Sequence, residues 1–194
     1  MAQKPAKAPR KPRADSKRNR ELLLQAAREV FSAGGPGASL EGVARKAGVG
    51  IGTLYRHFPT RDALFEAVYR SDIDRLADLA EQLSKEAGPV EALRLWLREG
   101  VEVVATKKGM MATLALATDG KQDLFAYSHQ RLTAATTALL SRAVEAGEIR
   151  DDITPEDLLR ALVGLCHAPD RPGWRPSVAR LVDVLVDGLK RGNG

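Results

Sequence analysis

Cysteine and aromatic residues are scarce in this chain of 194 residues. The single cysteine, Cys166, excludes an internal disulfide framework and a cysteine-rich zinc site. Aromatic residues make up 5% of the chain, whereas alanine and leucine recur throughout, and this composition favours helices over strands. We therefore expect an all-α protein from a reducing compartment.

Long apolar runs are also missing. The longest nearly apolar stretch, Met110–Ala117, is far shorter than the roughly 18 residues that a membrane-spanning helix requires. The N-terminus is basic but lacks the apolar segment of a signal peptide. These features predict a cytoplasmic protein that has no membrane partner.

Positive charge is concentrated at the front of the chain. The formal net charge is +5, and residues 1–20 alone contain eight basic residues and one acid. Residues 1–15 include three prolines and almost no bulky apolar side chain, so they are predicted to form a disordered basic arm. Such an arm either solubilises the protein or contacts the phosphates of a nucleic acid.

Hydrophobic periodicity predicts about nine helices and no strand. Residues 16–59 form a front domain of three helices, and a longer helix over residues 60–85 links it to a helical body that extends to residue 194. The expected helices of the front domain are Ser16–Ala33, Leu40–Ala47 and Gly50–His57. Those of the body are Val90–Lys107, Met110–Ala117, Asp123–Ala146, Pro155–Cys166 and Ser177–Lys190.

Residues 39–58 have the pattern of a helix-turn-helix. Ala44 is small where two helices cross closely, and Gly48, four residues later, allows a tight turn. Leu54 packs the second helix against the first. This leaves hydrogen-bond donors suited to phosphates, and one apolar group, on the outside. These outward side chains are Ile51, Thr53, Tyr55, Arg56 and His57. A helical hairpin that serves only packing is the alternative interpretation.

Several motifs between Arg20 and about Tyr69 occur together. The most distinctive is the run Gly-Thr-Leu-Tyr-Arg-His-Phe at residues 52–58. Other matching segments are Leu23–Ala27, Ala38–Leu40 and Ala47–Val49. This span resembles the DNA-binding domain of the TetR/AcrR family of bacterial transcriptional regulators. The resemblance implies an N-terminal helix-turn-helix domain followed by a helical domain for ligand binding and dimerisation.

The resemblance assigns roles to residues of the front domain. It implies that Tyr55, His57 and Arg61 hold DNA phosphates and that Thr53 lies near bases or backbone. Ser39, at a helix N-terminus, matches a phosphate-contacting cap. The operator sequence is not transferable from relatives, because two residues depart from the family pattern, Gly50 and Ile51.

The resemblance also implies a small-molecule pocket and a homodimer. Helices 155–166 and 177–190 are expected to pair with their copies in a second protomer. The candidate pocket residues combine adaptable methionines with apolar and aromatic side chains: Trp96, Met110, Met111, Leu114, Phe125 and Tyr127. Ordinary core packing is the alternative for each of them.

These observations favour a sequence-specific DNA-binding transcriptional regulator. We expect a repressor that a small-molecule ligand releases from a pseudo-palindromic operator in double-stranded DNA. The alternative is a non-specific nucleic-acid-binding protein driven by the basic arm. An enzyme is not expected, since the chain has no nucleophile elbow, phosphate loop or converging pair of carboxylates. The isolated His129 and His167 predict no metal site, and no cofactor is expected.

Overall fold

The computed structural model describes residues 12–34, 39–114, 121–167 and 174–191. The chain divides into two compact units, with the boundary between Val68 and Tyr69. The helices of the described residues are α1 (Pro12–Gly34), α2 (Leu40–Lys46), α3 (Ile51–His57), α4 (Arg61–Glu86), α5 (Pro89–Leu114), α6 (Lys121–Glu145), α7 (Pro155–Cys166) and α8 (Trp174–Leu189). The expected all-α fold is confirmed. Among the described helices, none contains an apolar segment of the length that would span a bilayer.

Eight helices occupy the described residues, where the sequence predicted about nine over the whole chain. The expected helix Val90–Lys107 and the short helix that begins at Met110 are one continuous helix, α5. Gly109 does not end this helix, because an interior glycine costs only about 1 kcal/mol relative to alanine and no proline accompanies it.

The first helix begins earlier than predicted. α1 starts at Pro12 rather than Ser16, so residues 12–15 are helical and not part of an extended arm. Proline is tolerated here because the N–H groups of a first helical turn have no partner within the helix. The remainder of the predicted arm, residues 1–11, lies outside the described residues.

Unit 1 contains α1, α2, α3 and the first turns of α4, and each helix contributes one apolar face to its core. Phe31 of α1 and Phe65 of α4 meet edge to face, with ring centroids 4.3 Å apart and planes at 71°. Such a pair adds about 0.5–1.5 kcal/mol to the stabilisation that comes from burying its area. Other fully buried side chains of the described part of this unit include Leu23, Val43, Leu54, Leu64 and Val68.

Unit 2 is organised around α5, which packs against α6, α7 and α8. Trp96 of α5 is fully buried, and its indole Nε1–H donates a hydrogen bond to the Leu76 carbonyl at 2.7 Å. Arg94 lies on the same helix, and its Nη2 is 2.7 Å from Asp187 Oδ1 of α8. The buried core and the ion pair between Arg94 and Asp187 together therefore fix the position of α5 in unit 2.

The start and end of α7 are as predicted. Thr154 Oγ1 accepts a hydrogen bond from the Asp157 backbone N–H at 3.2 Å, and Asp157 Oδ2 accepts one from the Thr154 N–H at 3.1 Å. Pro155 follows the cap at a position that needs no N–H donor. One face of α7 is buried in unit 2 through Leu158, Leu162 and Cys166.

Candidate nucleic-acid interface and ligand cavity

A tight turn joins α2 to α3. Ser39 caps α2, because its Oγ accepts a hydrogen bond from the Gly42 N–H at 3.0 Å. The turn passes through Gly48, whose φ of +68° is a left-handed conformation that side chains disfavour. The Val49 N–H then donates to the Ala44 carbonyl at 3.0 Å and completes the turn. The backbone thus fixes the direction in which α3 leaves α2.

Leu54 determines which face of α3 is outside. Its side chain is fully buried, whereas Ile51 is 39% exposed and Tyr55 is 45% exposed. Ile51 and Tyr55 are four residues apart, so they lie on the same side of the helix. An apolar group and a phenol are therefore presented together to the solvent.

The other predicted residues of α3 are also accessible in part. Arg56 is exposed, and its Nε donates a hydrogen bond to the Gly52 carbonyl at 3.3 Å. Thr53 and His57 are half-buried, and the His57 ring lies 6.2 Å from the ring of Phe58. All five outward side chains expected on this helix are thus fully or partly exposed.

Arg61 lies at the start of α4, where it has an aromatic environment that the sequence did not predict. Its guanidinium is 5.1 Å from the centroid of the Phe65 ring and 6.0 Å from that of Phe31. Thr60 precedes it and caps the helix, since the Ala63 N–H donates to Thr60 Oγ1 at 3.0 Å. The charge of Arg61 is therefore held above the core of unit 1.

Arg20 is a further exposed cation of unit 1 that sequence reasoning did not include in the site. Its guanidinium lies 5.4 Å from the centroid of the Phe58 ring, at the end of α3. The sequence did mark Arg20 as part of the basic front. Its proximity to α3 follows only from the packing of α1.

Unit 2 contains a cavity of about 460 Å³. Its walls come from α4, α5, α6 and α7, and they are mostly apolar: Ile73, Val103, Val104, Leu132, Leu159 and Val163. The lining also includes polar and aromatic groups: Tyr69, Lys107, Phe125, Ser128, His129 and His167. This size and this mixture of surfaces are typical of a small-molecule site.

The predicted pocket residues divide into three groups. Phe125 lines the cavity and is 39% exposed. Trp96 does not line it, because its indole is enclosed in the core of unit 2. The side chains of Met110, Met111 and Leu114 lie outside the described residues, although their backbone belongs to α5.

Tyr127 is placed beside α4 and is not among the residues that line the cavity. Its hydroxyl donates a hydrogen bond to Asp74, and the Arg70 guanidinium lies 4.8 Å from its ring centroid. The hydrogen bond to Asp74, and then burial, raise the pKa of Tyr127 above its ordinary value. Tyr127 therefore ties α6 to α4.

His129 and His167, which are isolated in the sequence, both line the cavity. His167 Nδ1 is 2.8 Å from the Val163 carbonyl, which accepts a hydrogen bond when Nδ1 carries the proton. Over the part of the chain that the structure describes, no three His, Cys, Asp or Glu side chains come together as a metal site.

Comparisons with protein families match both parts of the chain. Residues 23–68 match the model of bacterial regulatory proteins of the tetR family. Residues 88–191 match the C-terminal domain of SbtR-like transcriptional regulators. The first match contains the helix-turn-helix and the second contains α5 to α8.

Individual relatives are similar over most of their length. A transcriptional repressor of Mycobacterium tuberculosis is 32% identical, with 75% of this chain and 76% of the relative covered. The repressor AcnR of Corynebacterium diphtheriae is 32% identical, with coverage of 88% and 91%. The crystal structure of a TetR transcriptional regulator from Streptomyces coelicolor is 42% identical, has a TM-score of 0.76, and shows coverage of 88% and 98%.

Proposed function

The chain belongs to the TetR family of bacterial regulatory proteins, and on this basis we propose that it is a repressor that a small organic ligand releases from its operator. That it is a DNA-binding transcriptional regulator, and not an enzyme, follows from the family itself. The repressor role is supported by the names of two relatives, each 32% identical to this chain. The proposal also places the protein in the bacterial cytoplasm, where the chromosome lies.

The observation that carries the proposal is the difference in solvent exposure between the two sides of α3. Leu54 is fully buried while Ile51 and Tyr55 are exposed, within the segment that matches the tetR family. We assign Tyr55 and His57 to phosphates, because a phenol and an imidazole both donate hydrogen bonds. Ser39 and Arg61 take the same role from the starts of α2 and α4.

The base-reading group consists of Ile51, Thr53 and Arg56. Arginine is the residue that most often reads guanine in the major groove, through its two parallel N–H donors. Threonine reads several bases, and the apolar side chain of Ile51 suits a thymine methyl group. We assign sequence preference to this group and orientation on the duplex to the phosphate contacts.

We propose that the DNA-binding form is a homodimer paired through α7 and α8. One helix-turn-helix makes few base contacts, and two-fold pairing doubles them on a pseudo-palindromic operator. Apolar side chains remain exposed on α8: Leu181 is 45% and Val184 is 68% exposed. Exposed apolar groups on one helix are typical of an interface that a second protomer covers.

The cavity of unit 2 is the proposed effector site. An effector acts only through different affinities for the DNA-binding form and the released form of the protein. α4 belongs to both units of the chain, and its residues Tyr69 and Ile73 line the cavity. A ligand that binds one of these two forms more tightly, through its contacts with α4, would therefore change the affinity of the protein for the operator.

A titration of the full chain with the DNA upstream of its own gene tests the proposal. We expect a complex at physiological salt that a shuffled duplex of equal composition does not form. Equal affinity for both duplexes, with steep salt dependence, would instead indicate the non-specific binder driven by the basic arm. Deletion of residues 1–11 separates the two: it should abolish binding by a non-specific protein but leave the preference for the operator in a repressor.

A further inference from the structure

The charge of the cavity is its most distinctive feature. Lys107 is the one permanent cation among the described residues that line it, and none of these lining residues is a carboxylate. The ammonium lies 4.7 Å from the centroid of the Phe125 ring and 5.3 Å from that of Tyr69. Within the described part of the chain, no carboxylate forms an ion pair with Lys107. Among the residues that the structure describes, the cation thus lies between two aromatic rings and faces no carboxylate of the lining.

The rings hold Lys107 but do not neutralise it. A contact between a cation and an aromatic face is an attraction to the ring quadrupole, and it leaves the full charge in place. Lys107 is half-buried, so water screens this charge less than it screens a surface lysine. A ligand anion in the cavity therefore gains more from Lys107 than it would at the surface.

The rest of the lining selects for an apolar body. Leu159 and Val163 of α7 and His167, the residue that caps the end of this helix, are spaced four residues apart, so they form one stripe facing the cavity. α5 contributes Val103 and Val104 to the same lining. Because covering such surfaces removes apolar area from water, the lining favours an aliphatic or aromatic ligand. An inorganic anion alone would leave these surfaces uncovered.

We propose that the cavity binds a small organic carboxylate that has an apolar body, with the carboxylate at Lys107 Nζ. This inference rests on the proposed function, because it names the chemical class of the effector. Lys107 is then a binding and specificity-determining residue. A cationic ligand is disfavoured, since the lysine ammonium already occupies the faces of Phe125 and Tyr69.

Calorimetric titrations of the full chain with matched probes test this. The probes are decanoate and 4-phenylbutanoate, the primary amide of each, and decyltrimethylammonium, all below their aggregation concentrations. We expect at least one carboxylate to bind about tenfold or more tightly than its own amide, because the pairs differ mainly in charge. The proposal is overturned if neither carboxylate binds more tightly than its amide, or if the cationic probe binds most tightly.

Two substitutions at Lys107 assign the preference to this residue. Lys107→Met keeps an apolar stem without the charge and should abolish the difference between carboxylate and amide. Lys107→Arg should retain it. Lys85→Met, at an exposed lysine near the end of α4, is the matched control and should bind like the unaltered protein. If Lys107→Met keeps the full preference for the carboxylate, the assignment of Lys107 is wrong. Should a Lys107 variant fail to fold, the comparison of probes on the unaltered protein still tests the ligand class.

The titration with the operator separates the two levels of inference. Intact operator binding without a preference for carboxylates would overturn only the ligand class. A clear preference for carboxylates in a protein that binds no operator would overturn the proposed function and leave the ligand class standing.

Discussion

Gly100 of α5 faces Leu162 of α7 so closely that a Cβ atom added to Gly100 would lie 2.7 Å from Leu162 Cδ2. Leu162 is itself 3% exposed, so its side chain has little room to move away. The missing side chain of Gly100 therefore lets the two helices approach. The close approach also positions α7, which carries part of the cavity wall.

Gly100→Ala should lower the free energy of unfolding by about 1–2 kcal/mol, because the added methyl overpacks the core. Denaturation with urea measures this. In the Leu162→Ala background the methyl has room, and the same substitution should be neutral or stabilising, since alanine is the better helix former. Equal losses in both backgrounds would mean that the close approach is not the cause.

Tyr55→Phe should weaken operator binding by about 1–3 kcal/mol, because the lost hydroxyl is the proposed donor to a phosphate. The fold should be unaffected, since Tyr55 is 45% exposed. Operator titration and thermal unfolding measure the two effects. Unchanged affinity would remove Tyr55 from the interface.

Tyr127→Phe is the matched control for that substitution. It should lower the stability of the protein and leave operator binding unchanged. Its hydroxyl donates to Asp74 within unit 2, so its loss should reduce the free energy of unfolding by about 1 kcal/mol. The folded protein should still bind the operator as before. A loss of affinity equal to that of Tyr55→Phe would show that removing a tyrosine hydroxyl impairs binding without any phosphate contact.

Arg61 combines two expected contributions, one to DNA binding and one to packing. Arg61→Lys keeps the charge but loses the planar group that lies near Phe65, so it should retain most of the operator affinity and cost about 0.5–1 kcal/mol of stability. Arg61→Ala should reduce both. If the two variants lose operator affinity equally in titrations, the charge is not what the DNA recognises.

Val184→Asp should convert the proposed dimer to a monomer and weaken operator binding. Val184 is 68% exposed on α8, so its substitution leaves the protomer folded, while a buried carboxylate at an interface is costly. Sedimentation analysis measures the mass. Leu95→Asp, at a 37% exposed leucine on α5, is the control and should stay dimeric. Dissociation by both variants, or by neither, contradicts pairing through α8.

The cap of α7 predicts a dependence of stability on acid pH. The side-chain hydrogen bond with Thr154, and then the bond from the Thr154 backbone, lower the pKa of Asp157 below its ordinary value of 3.8. A carboxylate with a lowered folded-state pKa contributes stability above the unfolded pKa, and this contribution is lost as the pH falls through the folded pKa. The protein should therefore lose stability to urea as the pH falls below about 4.

Asp157→Asn isolates that contribution, since an amide does not titrate in this range. The variant should be less stable than the unaltered protein at neutral pH, and the difference should shrink as the pH falls below the ordinary pKa. A difference that stays constant down to the lowest measurable pH would exclude the cap as its source.

Much of the helical layout was predictable because helix ends depend on local chemistry. The expected helix Pro155–Cys166 coincides with α7, since its start depends on the neighbouring Thr154 and Pro155. The predicted break before Met110 was wrong. A single glycine is a weak stop signal when the neighbouring helical turns are stable.

The candidate cavity could not be predicted in the same way. Trp96 and Phe125 look equivalent as aromatic residues of apolar helices, yet one is enclosed in the core and the other lines the cavity. Lys107 resembles any basic residue of a helix, and nothing near it in the chain reveals that Tyr69 and Phe125 flank it. These neighbours are 38 and 18 positions away in the numbering.

By itself the amino-acid order determined the α-helical class, the helix-turn-helix, and the anchoring role of Leu54, because each depends on residues within a few turns of one another. Only the tertiary structure decided where Arg61 and Lys107 hold their charges and which side chains enclose the cavity. The physical reason is that distances between residues remote in the chain depend on the angles at which the helices cross. Those angles are set by the side-chain contacts of all the packed helix faces together.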